Sequence, residues 1–396
     1  MKRLSLATAV LALFSLFAAP VFAADTFDLV IPLPLTGKPA KFGEIMKRSY
    51  EMAAEEINAK GGVKGKKIAL SFEDSTGKPE VARSIVEKLI DVKKQPIIVG
   101  EYTSACAKAV AAVAEERKTP YLVVASADDD ITQKNYKYVF RQNQVNAHYG
   151  DAVVDFLKTV VKPKSMVILY ESSAFGTSGA DAMEKASKML GIQVALKEKF
   201  ETGAIDFKPL LSKVKAAQPE VIFTVAYANE AQLIMKQAKE LRIDAKLYSG
   251  GAAGFAIPEF VKGAQDAAEY VVSATLWTPQ LKYPGAKEFA EKYKAKYKDY
   301  PSYHGASAYA AIYVTADALG RAKDWTTDGI RDALKATNMK TAYAPVKFED
   351  KEGYQNQNFH ETFAIQVQKG EFETVWPTSH ASKPYVFPVP AWKDRK

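Results

Sequence analysis

The chain has 396 residues, of which 47% are hydrophobic and 25% charged, with one cysteine, 22 glycines and 19 prolines. Those proportions exclude a collagen, a coiled-coil rod, a disulfide-stapled miniprotein and a mostly disordered chain. The surplus of 54 basic over 46 acidic side chains is spread along the sequence without an arginine cluster, which argues against a nucleic-acid partner.

Residues 1–23 read as a cleavable secretory leader rather than as part of the fold. Lys2 and Arg3 form a basic start, Leu4 to Ala19 an apolar stretch, and Val21-Phe22-Ala23 a small-x-small site. The apolar stretch is shorter than the roughly 20 residues a membrane span needs. With no cysteine near the cleavage point to carry a lipid, the expected location is the periplasm. At roughly 100 to 200 residues per domain, the remainder should form two lobes. Cys106 is the only thiol, so no intrachain disulfide forms, and its helical spacing with Val110 and Val113 predicts a buried structural sulfur.

Apolar runs then alternate with amphipathic stretches. Strands are predicted at 27–33, 67–72, 96–99 and 121–124, with helices at 45–59, 80–91 and 104–116 between them. After Val139-Phe140-Arg141 a similar series follows: helix 147–160, strand 165–170, helix 179–190, strand 193–200, helix 207–216, strand 221–225 and helix 230–241. Such alternation predicts an α/β fold of two doubly wound parallel-sheet lobes. Beyond a strand at 270–276 come three helices up to about 335 and late strands near 345–348 and 359–367. The chain is therefore expected to return to the first lobe near Thr275 and to cross again near Gly353. The lobes would comprise 24–142 with about 276–352, and 143–275 with about 353–396.

Catalytic patterns are missing from the sequence. It has no G-x-G-x-x-G, no P-loop, no H-E-x-x-H and no C-x-x-C, and Gly176-Thr177-Ser178-Gly179 lacks the spacing of a nucleophile elbow. His148, His304, His360 and His380 are scattered without metal-ligand spacing; His304, in an aromatic helix start, is either a polar-network residue or a cleft-lining one. Asp128-Asp129-Asp130 lacks the further ligands a cation site needs. The expectation is a binding protein with no metal or other cofactor, and a secreted hydrolase is the remote rival.

Strand ends are more informative, because open α/β sheets bind small molecules in the crevice beyond the C-terminal ends of their strands. After strand 96–99, Ser104 is placed to cap the next helix, where a hydroxyl beside free N–H groups can hold a carboxylate. Without a ligand it is a plain N-cap. After strand 121–124, Ser126 and Ala127 offer backbone groups, and Asp128 is either an ammonium partner or a surface turn acid. Tyr227, after strand 221–225, either covers a ligand or packs.

Several stretches in order resemble the leucine/isoleucine/valine-binding family of periplasmic solute-binding proteins that serve ATP-driven importers. They are Pro32-Leu33-Pro34-Leu35-Thr36-Gly37, Phe42-Gly43, Ile57-Asn58-Ala59-Lys60-Gly61-Gly62-Val63-Lys64-Gly65, Phe175-Gly176, Asp206-Phe207 and Tyr227. The resemblance implies a type I binding fold with a three-crossover hinge, most often a branched-chain or other hydrophobic amino acid as ligand, a membrane permease as partner and a monomeric chain. Ser104 would bind the ligand carboxylate, aided by backbone near Ser126 and by Asp128, while Phe42, Tyr102, Phe175 and Tyr227 would line or cover the pocket. One departure is plain: Gly251 stands where amino-acid binders of this family carry a glutamate for the α-ammonium. Either Asp128 replaces that charge, or the ligand is an aliphatic or aromatic carboxylate or a short amide without an ammonium. A sensory binding protein fits the same pattern.

Overall fold

The computed structural model describes residues 25–395, so the expected leader lies outside the described residues. The first lobe opens with β1 (Thr26–Leu33), α1 (Ala40–Ala59), β2 (Lys67–Asp74), α2 (Pro79–Asp91), β3 (Ile98–Gly100), α3 (Ser104–Glu116), β4 (Tyr121–Val123) and β5 (Val139–Arg141). β1 pairs in parallel with β2, and β3, β4 and β5 pair in parallel with one another. Pro96 cannot donate to a ladder, and beside it the Gln95 side chain takes over. Its Oε1 accepts from Val30 N at 2.8 Å and its Nε2 donates to Val30 O at 3.0 Å, which ties β1 to the approach of β3.

The second lobe contains α4 (Asn146–Tyr149), α5 (Asp151–Phe156), β6 (Ser165–Glu171), α6 (Ala174–Met189), β7 (Gln193–Phe200), α7 (Lys208–Ala217), β8 (Val221–Val225), α8 (Ala228–Glu240), β9 (Leu247–Gly250), α9 (Pro258–Ala264) and β10 (Val272–Thr275). The single helix expected at 147–160 is broken: α4 and α5 meet at Gly150, and Leu157–Val161 closes as a wider π turn. Glycine at the junction and three valines in the stretch lower helix propensity there.

The chain then returns to the first lobe as α10 (Ala286–Tyr297), α11 (Tyr303–Arg321), α12 (Thr327–Lys335), β11 (Asn338–Lys340), β12 (Pro345–Lys347), β13 (Glu349–Lys351) and β14 (Tyr354–Gln357), and ends with β15 (Phe363–Gln368) and β16 (Glu371–Trp376) in the second. β14 pairs with β5, so the last passage between sheets follows Gln357 rather than Gly353. Gly353, at φ +82°, is only the turn between β13 and β14.

The larger sheet has the order β16-β15-β10-β9-β8-β6-β7. It is parallel from β7 to β10, but β15 and β16 add an antiparallel edge that helix–strand alternation alone does not predict. The smaller sheet runs β13-β14-β5-β4-β3. Apolar strand residues such as Leu29, Ile31, Val99 and Leu122 on one side, and Val167, Leu169 and Ile222 on the other, are buried under helices on both faces.

Three connecting segments, 143–145, 276–285 and 358–362, join the lobes. Polar residues at and beside the first and third crossings would be expected at the surface, yet Gln142, Asn143, Gln144, Gln357 and Asn358 are all buried. They bond across the crossings: Gln357 Nε2 donates to Asn143 O at 2.7 Å, Asn358 Nδ2 to Gln142 O at 3.1 Å, and Gln144 Nε2 to His360 O at 2.8 Å. Primary amides suit this place because each supplies donors and an acceptor without a charge to desolvate.

Candidate functional site

The strand ends of both lobes face one another. In the first lobe Gly100 ends β3 at φ +115°, where a Cβ would come within 2.7 Å of Ile31 Cγ2. The chain turns sharply through Glu101, at φ +49°, and enters α3. Thr103, not Ser104, caps that helix: its hydroxyl accepts from Cys106 N at 3.2 Å. Either residue type can cap, but Thr103 holds the extended backbone of a cap while Ser104 is already helical. Freed from capping, Ser104 Oγ accepts from Ala127 N at 3.3 Å and from Asp128 N at 3.2 Å, which joins the loops after β3 and β4.

The β4 loop is held from behind by Arg141, which is fully buried. Its guanidinium donates to Asp128 O at 2.6 Å, to Thr132 Oγ1 at 2.6 Å and to Gln357 Oε1 at 2.7 Å. Burial lowers its pKa to about 10, leaving it charged at neutral pH. Ser126 Oγ donates to Tyr102 O at 2.9 Å. The result is a rigid shelf of hydroxyl and main-chain groups.

The second lobe supplies the facing wall. Glu171, wholly buried at the end of β6, accepts from Ser173 N at 2.8 Å, Gly176 N at 2.9 Å and Thr202 Oγ1 at 2.6 Å, and from the Ser173 hydroxyl. It thereby fixes the start of α6, which carries Phe175. Tyr227 precedes α8 and lies against Phe175 with ring centres 5.7 Å apart. After β9, Ala252 takes φ +62° and ψ −139°, a conformation ordinarily left to glycine, and Ala253 follows at φ +41°. Strain of this kind collects at functional sites.

Tyr102, Ser104, Ser126, Ala127, Phe175 and Tyr227 line one narrow pocket between the lobes, of about 10 Å³. Phe42 stands behind it, stacked on Tyr102 at 4.6 Å and edge-on to Tyr227 at 6.2 Å. Asp128 does not join them. Its Oδ1 accepts from Asp130 N at 2.9 Å and its Oδ2 lies 3.4 Å from Lys108 Nζ, so the carboxylate turns into a second, larger cavity of about 940 Å³. Burial raises its pKa against the pull of Lys108. Gly251 lines that larger cavity too, beside Phe223 and Val225.

Sequence reasoning missed Tyr149, Ala253 and Tyr303, which complete the narrow pocket, and left His304 undecided. Tyr149 Oη donates to Tyr303 Oη at 2.8 Å, and Ala253 N donates to the same oxygen at 3.1 Å. His304 packs on Phe42 and Tyr102, with Nδ1 3.0 Å from Ser302 Oγ; burial lowers its pKa to about 3, so the ring is neutral. The aromatic cluster at the start of α11 was the available signal. Across the cleft mouth, Lys41 meets Glu259 at 3.0 Å and Lys262 meets Asp299 at 3.5 Å.

Residues 29–371 match the family model described as periplasmic binding protein. The chain belongs to this family. Among its relatives, Leu/Ile/Val-binding protein homolog 8 of Brucella melitensis is 30% identical over 368 residues, spanning 88% of this chain and 90% of that one. The leucine binding protein LivK of Thermotoga maritima superposes with a TM-score of 0.81 at 26% identity, over 88% of this chain and 97% of that one. A solute binding protein of an ABC transporter from Rhodopseudomonas palustris, solved with 3,4-dihydroxybenzoic acid, shares the fold at 21% identity and TM-score 0.80, over 93% and 99% of the two chains. Periplasmic binding proteins of this type are two-lobed α/β proteins with parallel-dominated sheets, as described above. Among the described residues, no helix is long and apolar enough to cross a membrane, and no group of three or more His, Cys, Asp or Glu is placed to hold a metal ion.

Proposed function

We propose that this periplasmic binding protein is the substrate-binding component of an ATP-driven importer. It captures a small carboxylate with an apolar body between its lobes and hands it, chemically unaltered, to a membrane permease. What carries the reading is the convergence of Ser104, Ser126 and the Ala127 backbone from one lobe with Phe175 and Tyr227 from the other. A polar shelf beside a helix N-terminus suits the acid group, and the rings suit an apolar tail. The chain is exported by its leader and acts as a monomer.

Contacts from both lobes make binding favour closure, because a ligand shifts a conformational equilibrium only by its preference for one state. Micromolar affinity corresponds to roughly 8 kcal/mol, within reach of a buried carboxylate network and a few aromatic contacts. Names of relatives such as Leu/Ile/Val-binding protein homolog 8 put branched-chain amino acids first among the ligands to test. Gly251, in place of an acid, favours a second reading, an ammonium-free acid.

A thermal-shift screen of amino acids, their deaminated analogues, aromatic acids and amides tests the proposal. A ligand at 100 times its dissociation constant adds roughly 2.7 kcal/mol to stability. A clear upward shift with at least one small carboxylate is the expected result. No shift with any of them, or turnover of an added ester or amide, would refute it.

A further inference from the structure

The narrow pocket is rich in hydroxyl groups, and their hydrogen-bond valences are unevenly spent. A hydroxyl has one proton to donate and two lone pairs to accept with. Ser104 Oγ accepts from Ala127 N and Asp128 N, so both its lone pairs are engaged and only its proton is free. Tyr303 Oη is in the same position, since it accepts from Tyr149 Oη and Ala253 N. Each is left able to donate and unable to accept. Both residues stand in the first lobe, Ser104 in α3 and Tyr303 in α11, but the lone pairs of Tyr303 are filled by Tyr149 and Ala253 of the second, so its donor-only state forms when the lobes meet.

Acceptors for a cation are scarce by the same accounting. Among the described residues, no carboxylate lines the narrow pocket. The buried acids near it stand outside its lining. A carboxylate offers about four lone-pair positions, and those of Glu171 are filled by Ser173 N, the Ser173 hydroxyl, Gly176 N and Thr202 Oγ1. Asp128 turns to Lys108. Glu101 accepts from the backbone N–H of Tyr102 through Oε2, and its Oε1, buried without a partner, lies outside the pocket's lining. The neutral ring of His304 adds no charge of either sign. An ammonium brought into this space would lose its hydration without a counter-charge, whereas a carboxylate would meet two aimed donors and a helix N-terminus.

We infer that Tyr303 is a second hydroxyl anchor for the carboxylate beside Ser104, and that the physiological ligand is a small aliphatic or aromatic acid without an α-ammonium. This rests on the proposed reading of the narrow pocket as the ligand site. The aromatic faces of Phe42, Tyr102, Phe175 and Tyr227 then serve the apolar body.

Calorimetric titration of the exported protein with matched pairs tests it: leucine against 4-methylpentanoate and 4-methyl-2-oxopentanoate, and phenylalanine against 3-phenylpropanoate. In at least one pair the deaminated acid should bind ten-fold or more tightly than its amino acid. 4-Methylpentanamide should bind at least ten-fold more weakly than 4-methylpentanoate, because the neutral amide lacks the charge that strengthens both hydrogen bonds and the attraction to the helix N-terminus. Tyr303→Phe should weaken the acid at least five-fold while its aromatic packing is kept. Tighter binding of the amino acid in both pairs would overturn this inference and leave the pocket reading standing. Equal binding of acid and amide, or an unchanged affinity in folded Tyr303→Phe, would overturn the anchor pair. Absence of binding by every acid and amino acid would overturn the pocket reading and the inference together.

Discussion

Two cavities adjoin at Tyr149, which lines both, and they are built on opposite principles. The larger one gathers ionisable groups: Lys108, Asp128, Asp130, His148, Asp151 and Glu352 stand on its wall, most of them in ion pairs with one another. The narrow one holds tyrosines, serines, alanines, a phenylalanine and a neutral histidine. Charge is kept in the wetter space, where a pair costs little to solvate, and excluded from the closed one, where selection falls to aimed donors and ring shape.

Breaking the walls of each cavity in turn should expose the difference. The largest effect is expected from Glu171→Ala, which strands Ser173 N, Gly176 N and Thr202 Oγ1 in the interior and loosens the start of α6. Unfolding by denaturant should show a loss of about 3 kcal/mol. Ser104→Ala should weaken carboxylate binding by about 1 to 3 kcal/mol in calorimetry, since the ligand loses a donor and two N–H groups lose their acceptor. In the larger cavity, Lys108→Ala should change that affinity less than about three-fold, as the side chain is partly exposed and its charge screened.

The same contrast can be sharpened by pH. Behind the narrow pocket, burial raises Glu101 from 4.5 to about 7. Between those values the folded chain holds a proton that the unfolded chain has released, so stability falls as pH rises through this window. In the larger cavity, the hydrogen bond to Asp151 raises His148 from 6.5 to about 9, aided by Glu352. That stabilisation is complete below 6.5 and is lost as pH rises to 9. Thermal unfolding across pH should therefore flatten in the acid window for Glu101→Gln and in the alkaline window for His148→Gln. The smallest effect belongs to Lys41→Ala at the cleft mouth, expected to alter affinity by less than about two-fold because its partner Glu259 is reached across a partly solvated gap.

How much of this could be read from the sequence depended on whether a feature is local. Strand and helix positions followed from periodicity, and the ends of β3, β4 and β8 pointed at the crevice because strand polarity does so in any open parallel sheet. The direction of Asp128 was not legible. Three adjacent acids project in different directions, and only the fold shows that the first turns to Lys108. Thr103 and Ser104 are both good caps, so the backbone angle alone assigned the role. The amide ladder of Gln142, Asn143, Gln144, Gln357 and Asn358 was illegible, since polar residues read as surface until their partners from a distant segment are known. Tyr303 was hidden likewise, because its hydroxyl gains meaning only from Ala253 and Tyr149, far away in the chain.

The most direct test of the central claim is a crystal structure with the tightest acid from the titrations. The account predicts a carboxylate oxygen within about 3 Å of Ser104 Oγ, between the lobes, with the apolar body against Tyr102 and Tyr227. Density for the acid in the larger cavity instead, with its carboxylate on Lys108, would contradict it.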